Sequence, residues 1–166
     1  MTIDIMKRFA LFVGLCLAQA LVFNRIQLFG CAIPLIYTYF VITFRRNLPH
    51  WASLLSSFCM GLIIDMFSNT PGLTTSALTF MALLQPYVLT LFVPRDADND
   101  VLHTSVAAMG WGKFFPFASF MLFVYCVVFF SLEAFSFFNW QQWLMNIVGS
   151  TVLTLIFVMT FERIRK

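Results

Sequence analysis

The sequence predicts an all-α integral membrane protein with six transmembrane helices and both termini in the cytoplasm. Three observations lead there: the scarcity of charge, six separated apolar stretches, and the side on which the basic residues fall. Apolar residues make up 61% of the 166 positions and charged residues only 10%, against roughly 25% charged in an ordinary soluble domain. A water-soluble fold of this length leaves too much surface exposed to hide that much apolar material. Lipid is therefore the expected solvent for much of the chain. The length suits one polytopic membrane domain over residues 1–166.

The first helix is placed at about 6–24, where the apolar run FALFVGLCLAQALVF reaches spanning length only with its flanks. The second, about 29–44, is short in the same way, and the third covers 51–67. The fourth, fifth and sixth, at 73–93, 113–132 and 141–161, match the roughly 20 residues a span needs. Strand-like alternation in ~10-residue segments, the mark of a membrane barrel, is not the pattern here. Orientation follows from charge. Lys7, Arg8, Arg45, Arg46, Arg95, Lys113, Arg163, Arg165 and Lys166 fall on one side of a six-helix layout, and Arg25 alone on the other. The positive-inside rule makes the crowded side cytoplasmic. Trp51 and Trp111 then sit near inner boundaries, and Trp140 and Trp143 near an outer one, as an aromatic belt does. Lys7-Arg8 followed by a short apolar core and Ala18-Gln19-Ala20 resembles a signal peptide with a small-residue cleavage site. The apolar run continues unbroken through Leu21, Val22 and Phe23, which favours a retained first span.

Little in the chain suggests catalysis. The four cysteines, Cys16, Cys31, Cys59 and Cys126, stand singly in apolar runs, so neither a zinc site nor a redox pair is expected. His50 and His103 have no carboxylate or nucleophile at a recognisable spacing, and no phosphate-cradling or nucleophile-elbow motif occurs. No cofactor is expected. A net charge of +3 is too small to suggest nucleic acid as a partner. Asp96, Asp98 and Asp100, in the long loop 94–112, have the opening spacing of a calcium loop, but Val101 replaces the turn glycine and Ala107 the closing glutamate. A solvated acidic loop, or one that docks a cytosolic partner, fits better. Glu133 lies at the outer end of the fifth helix, within reach of the interface.

The conspicuous acid is Asp65, in GLIIDMFSNTPG (residues 61–72). An ionised group inside a span costs about 2.5–3.5 kcal/mol on insertion scales and so faces the protein interior as a rule. Ser57, Gly61, Asp65 and Ser68 follow one another at helical spacings of four, four and three, forming a small and polar stripe suited to helix packing. Gln19, Arg25 and Asn146 lie at similar depth and are its candidate partners; solvation at the boundary is the alternative. Ser68-Asn69-Thr70-Pro71-Gly72 then ends the helix in a tight outer hairpin, and Thr74, Thr75 and Ser76 open the next helix with capping residues. Pro86, after Gln85, is expected to bend the fourth helix. Ala10, Gly14 and Ala18 form a second small-residue stripe, on the first helix. It serves either packing inside the bundle or close docking of a separate membrane subunit.

GLIIDMFSNTPG resembles the third-span motif of the MreD family of rod shape-determining proteins, with Gly61, Asp65, Ser68, Pro71 and Gly72 at the matching positions. The likeness runs over the whole chain: its length, its basic ends, and the hairpin leading into LTTSALTFMALLQPY. The opening MTIDIMKRF and the segment FFNWQQWLM look like the Bacteroidetes branch of that family. Asn69-Thr70 departs from the glycine and small residue many members carry there, which bears on the hairpin's shape. The resemblance implies a non-catalytic component of the cell-elongation machinery in the bacterial inner membrane. Its implied partners are the scaffold MreC, the actin-like MreB, the glycan polymerase RodA with its transpeptidase partner, and membrane lipids. It also implies the fold of the substrate-binding subunits of energy-coupling-factor transporters. A six-span vitamin-binding subunit is accordingly the alternative function, with the stripe on the first helix docking a coupling protein.

Overall fold

The computed structural model describes residues 2–21, 33–44, 49–92, 109–134 and 139–165. Their regular structure is helical: α1 (Thr2–Leu21), α2 (Thr38–Ile42), α3 (His50–Ser68), α4 (Leu73–Phe92), α5 (Trp111–Ala134) and α6 (Trp140–Arg165). Four of these, α3 to α6, are long and apolar enough to cross a membrane. In α1 the apolar part is shorter, Phe9–Gln19. Fewer than half the residues in each of the four spanning windows are buried. Leu62, Met66, Phe80, Leu83, Phe120, Phe123, Val152 and Ile156 are among the large apolar side chains left outside. An exposed apolar surface of that extent calls for an apolar solvent.

Local chemistry sets the ends. Pro49, in extended geometry (φ −62°, ψ 138°), precedes α3 and accepts bonds from the amides of Ala52 and Ser53. Asn69 closes α3 in the left-handed region (φ 56°, ψ 35°), which asparagine tolerates better than most residues. Pro86 and Pro116 are accommodated within α4 and α5. The helices pack largely in chain order: α3 on α4, α4 on α5 and α5 on α6, with α1 against α3.

The expected second span, 29–44, takes another form in its described part. Residues 33–35 have no regular secondary structure, 36 and 37 turn, and only Thr38–Ile42 is α-helical. Pro34 explains the start: it lacks an amide proton and pushes Ile33 away from helical geometry. Yet this segment is the most deeply buried of all, with Leu35, Ile36, Tyr37, Tyr39, Val41 and Ile42 each at most 2% exposed. It inserts among α1, α4 and α5. Edge-to-face contacts of Phe40 with Phe12 (centroids 5.5 Å apart) and Phe44 (5.0 Å) anchor its inner part. In its described part this apolar run is thus a buried core element of which only Thr38–Ile42 is α-helical.

Candidate functional site

The Asp65 corner is built by two residues of α3, one turn apart. At Gly61, α3 and α4 nearly touch: a Cβ there would lie 2.9 Å from the Thr75 amide nitrogen and 3.2 Å from the Thr75 Cβ. One turn later, that close approach carries the buried Asp65 side chain to the first amides of α4. Its Oδ1 accepts from the Thr74 amide (2.9 Å) and the Thr70 hydroxyl (3.2 Å). Its Oδ2 accepts from the Thr75 amide (2.9 Å) and the Thr75 hydroxyl (2.6 Å).

These four bonds occupy the roughly four acceptor positions a carboxylate offers. The group also sits at the positive end of the α4 dipole, where an anion is stabilised. Meanwhile the Asp65 backbone carbonyl accepts from the amides of Asn69 and Thr70 (3.2 Å to Thr70). One residue therefore ends α3 with its carbonyl and starts α4 with its carboxylate. Between them, the Leu73 amide bonds the Thr70 carbonyl at 3.3 Å, and Gly72 has φ +84°. Pro then Gly at the two central positions is what a type II turn demands.

A second polar assembly holds the irregular segment at residues 33–36. The amides of Ile33 and Leu35 donate to the hydroxyls of Ser150 and Thr154, each at 3.1 Å. On the other edge, Gln19 donates from Nε2 to the Pro34 carbonyl (3.1 Å) and accepts at Oε1 from the Ile36 amide (3.3 Å). Side chains from α1 and α6 thus supply what neighbouring strands supply in a sheet. Irregular backbone is tolerated at membrane depth only when it is buried and satisfied in this way.

Two further contacts link the core. The Tyr37 and Tyr125 hydroxyls share a 2.7 Å hydrogen bond, and the Thr74 side chain lies beside Tyr37. Nearer the other end of the bundle, the Tyr39 hydroxyl donates to Glu162 at 2.5 Å, and Glu162 is buried.

The sequence placed Ser57, Gly61 and Asp65 on an inward face, and all three are buried, with Ser68 half-buried at the end of α3. The expected company of Asp65 is corrected. Its bonds come from Thr70, Thr74 and Thr75, while Gln19 is committed to the irregular segment. Asn146, half-buried on α6, is not among its partners, and Arg25 lies outside the described residues. The donors to Asp65 among the described residues thus come from the hairpin and the first turn of α4. Pro71 and Gly72 are exposed in the turn.

Ala10 and Gly14 face outward and Ala18 is half-buried; a Cβ on Gly14 would meet nothing within 4 Å. Among the described residues, Ala10 and Gly14 of this stripe therefore pack against nothing inside the bundle. The acidic residues of loop 94–112 and His103 lie outside the described residues. Sequence reasoning missed Tyr37, Tyr125, Ser150, Thr154 and Glu162. Only the polar run in VGSTVLT (residues 148–154) offered a signal for any of them. The chain has no match among protein-family models, curated proteins or solved structures.

Proposed function

We propose that this chain is a non-catalytic, six-span component of the bacterial cell-elongation complex in the inner membrane, with both termini cytoplasmic. In this reading it holds partner spans, MreC first among them, in place beside MreB, RodA and its transpeptidase, and so supports peptidoglycan synthesis. The resemblance of GLIIDMFSNTPG to the MreD motif motivates the family. The observation that carries the scaffold role is the outward face of α1. Ala10 and Gly14 offer open, small-residue surface on a helix whose Phe9, Val13 and Leu17 are also exposed, and such surface lets another helix approach closely in lipid. Asp65 supports the same reading, because its acceptor positions are filled by the protein's own donors and none is directed to a substrate.

The vitamin-binding alternative uses the same α1 face for a coupling subunit. It has less support, because the interior between α1, α4 and α5 is filled by the chain's own segment, Leu35 to Phe44. Depletion of the protein in its native cell, with affinity capture of MreC, tests the proposal. Rounded cells and MreC recovered with the wild type, but lost with Gly14→Leu, are the expected result. Normal cell shape with impaired vitamin uptake would reject it in favour of the alternative.

A further inference from the structure

Two buried side chains, one on α3 and one on α4, have no hydrogen-bond partner among the described residues: the Ser57 hydroxyl and the Gln85 amide nitrogen. Ser57 is fully buried and Gln85 is 5% exposed. Other hydroxyls on the same two helices behave differently. Ser53, Ser56, Ser76, Thr79 and Thr90 each donate to a carbonyl of their own helix. A serine in a helix has such a backbone acceptor within reach, so Ser57 is turned away from one it could use. In lipid, no outside water comes to a donor left unpaired.

A third group follows from covalent chemistry. Pro86, inside α4, has no amide proton, so the carbonyl four residues back, that of Ala82, loses its helical donor. Ala82 is buried as well. Register brings the three groups together. The α3–α4 hairpin is antiparallel, and its helices meet where Gly61 abuts Thr75. Measured from that level away from the turn, Ser57 lies ~6 Å along α3, and Ala82 and Gln85 lie ~10 Å and ~15 Å along α4. Side chains lean toward the N-terminus of their own helix, so Ser57 and Gln85 lean toward each other across the ~9 Å between their levels. The glutamine side chain covers about half of that interval, and two hydrogen bonds of about 2.8 Å cover the rest.

We propose that one internal water molecule binds at this point of the α3–α4 seam. It accepts from the Gln85 amide, donates to the Ala82 carbonyl and shares a hydrogen bond with the Ser57 hydroxyl. Three partners are the usual number for a buried water, and ordered water is one of the means by which a proline inside a membrane helix is tolerated. The water ties α3 to the proline turn of α4, as Asp65 ties the two helices at the hairpin. The site is independent of which partners the bundle binds.

The test uses the full chain in lipid vesicles, with nitrogen-15 in the glutamine side-chain amides and signals assigned through backbone correlations. Solid-state NMR then follows magnetisation passing from water to protein. Gln19 is the control, because it is buried and bonded to protein at both its nitrogen and its oxygen. The Gln85 amide should receive magnetisation from water several-fold faster than that of Gln19. A rate for Gln85 no greater than for Gln19 would overturn the proposal, and this comparison needs no variant. Unfolding of Ser57→Ala, Gln85→Met and the double variant gives a second measurement. A shared water makes the two costs less than additive, by about threefold or more in the unfolding equilibrium. Additive costs, or a gain in stability with Gln85→Met, would show that the two groups hold no common ligand.

Discussion

Gly61→Ala is the perturbation whose size follows most directly from the structure. The added methyl would press most closely on the Thr75 Cα and lie 2.9 Å from the Thr75 amide nitrogen and 3.2 Å from its Cβ, where ordinary carbon contacts need about 3.5–4.0 Å. These atoms belong to a helix start, so a rotamer change cannot relieve the clash; α3 and α4 must separate by roughly 1 Å. That movement stretches the 2.9 Å bonds from the Thr74 and Thr75 amides to Asp65 past the limit of about 3.2 Å for a good N–H···O bond. Overpacking costs about 1–3 kcal/mol. Weakening two hydrogen bonds to a charged group adds a share of about 1.5–3 kcal/mol each. The gain in helix propensity returns up to about 1 kcal/mol, so a net loss of about 3–5 kcal/mol is expected. Equilibrium unfolding in mixed micelles of a mild detergent and dodecyl sulfate measures it, with Gly14→Ala as the control. Gly14 meets nothing within 4 Å, so the control should be neutral or stabilised by up to about 1 kcal/mol. If the two variants lie within about 1 kcal/mol of each other, the close approach at Gly61 does not hold the corner together.

Gly72→Ala forces a side chain into φ +84° and should cost about 1–2 kcal/mol in the same unfolding assay, without altering Asp65. Tyr125→Phe removes one partner of the 2.7 Å pair with Tyr37 and should cost about 1 kcal/mol. The double change with Tyr37→Phe should be less than additive, since either single change already breaks that bond; full additivity in a double-mutant cycle would show that the hydroxyls are not coupled. Thr154→Val keeps the side-chain shape while removing the acceptor of the Leu35 amide. Hydrogen exchange should show that amide opening faster, by several-fold.

The long helices were legible because lipid imposes length and composition together. For α3, α4, α5 and α6 the expected limits 51–67, 73–93, 113–132 and 141–161 fall within a few residues of the described ends, residue 93 lying outside the described residues. The hairpin was legible too, since Asn69, Pro71 and Gly72 each carry a backbone preference that the turn uses. The described part of 29–44 is mostly not the helix expected, because apolar composition does not distinguish a regular helix from a buried irregular segment. Pro34 was the local sign of a break, and its outcome depended on hydroxyls more than a hundred positions away at Ser150 and Thr154.

Asp65 was recognised as inward-facing, but its partners were sought at matching membrane depth on other spans. The capping threonines were noticed as the start of α4 without being joined to it. The missing idea was that a helix can be capped by a carboxylate from the helix before it, when a glycine one turn earlier lets the two meet.

The claim that Asp65 anchors α4 is tested most directly by hydrogen exchange at the Thr74 and Thr75 amides in lipid nanodiscs. Asp65→Ala leaves both amides without their acceptor, at about 1–3 kcal/mol each. Their exchange should therefore quicken by about 5- to 150-fold, with the amides of α5 unchanged. Unaltered exchange at Thr74 and Thr75 in that variant would contradict the account.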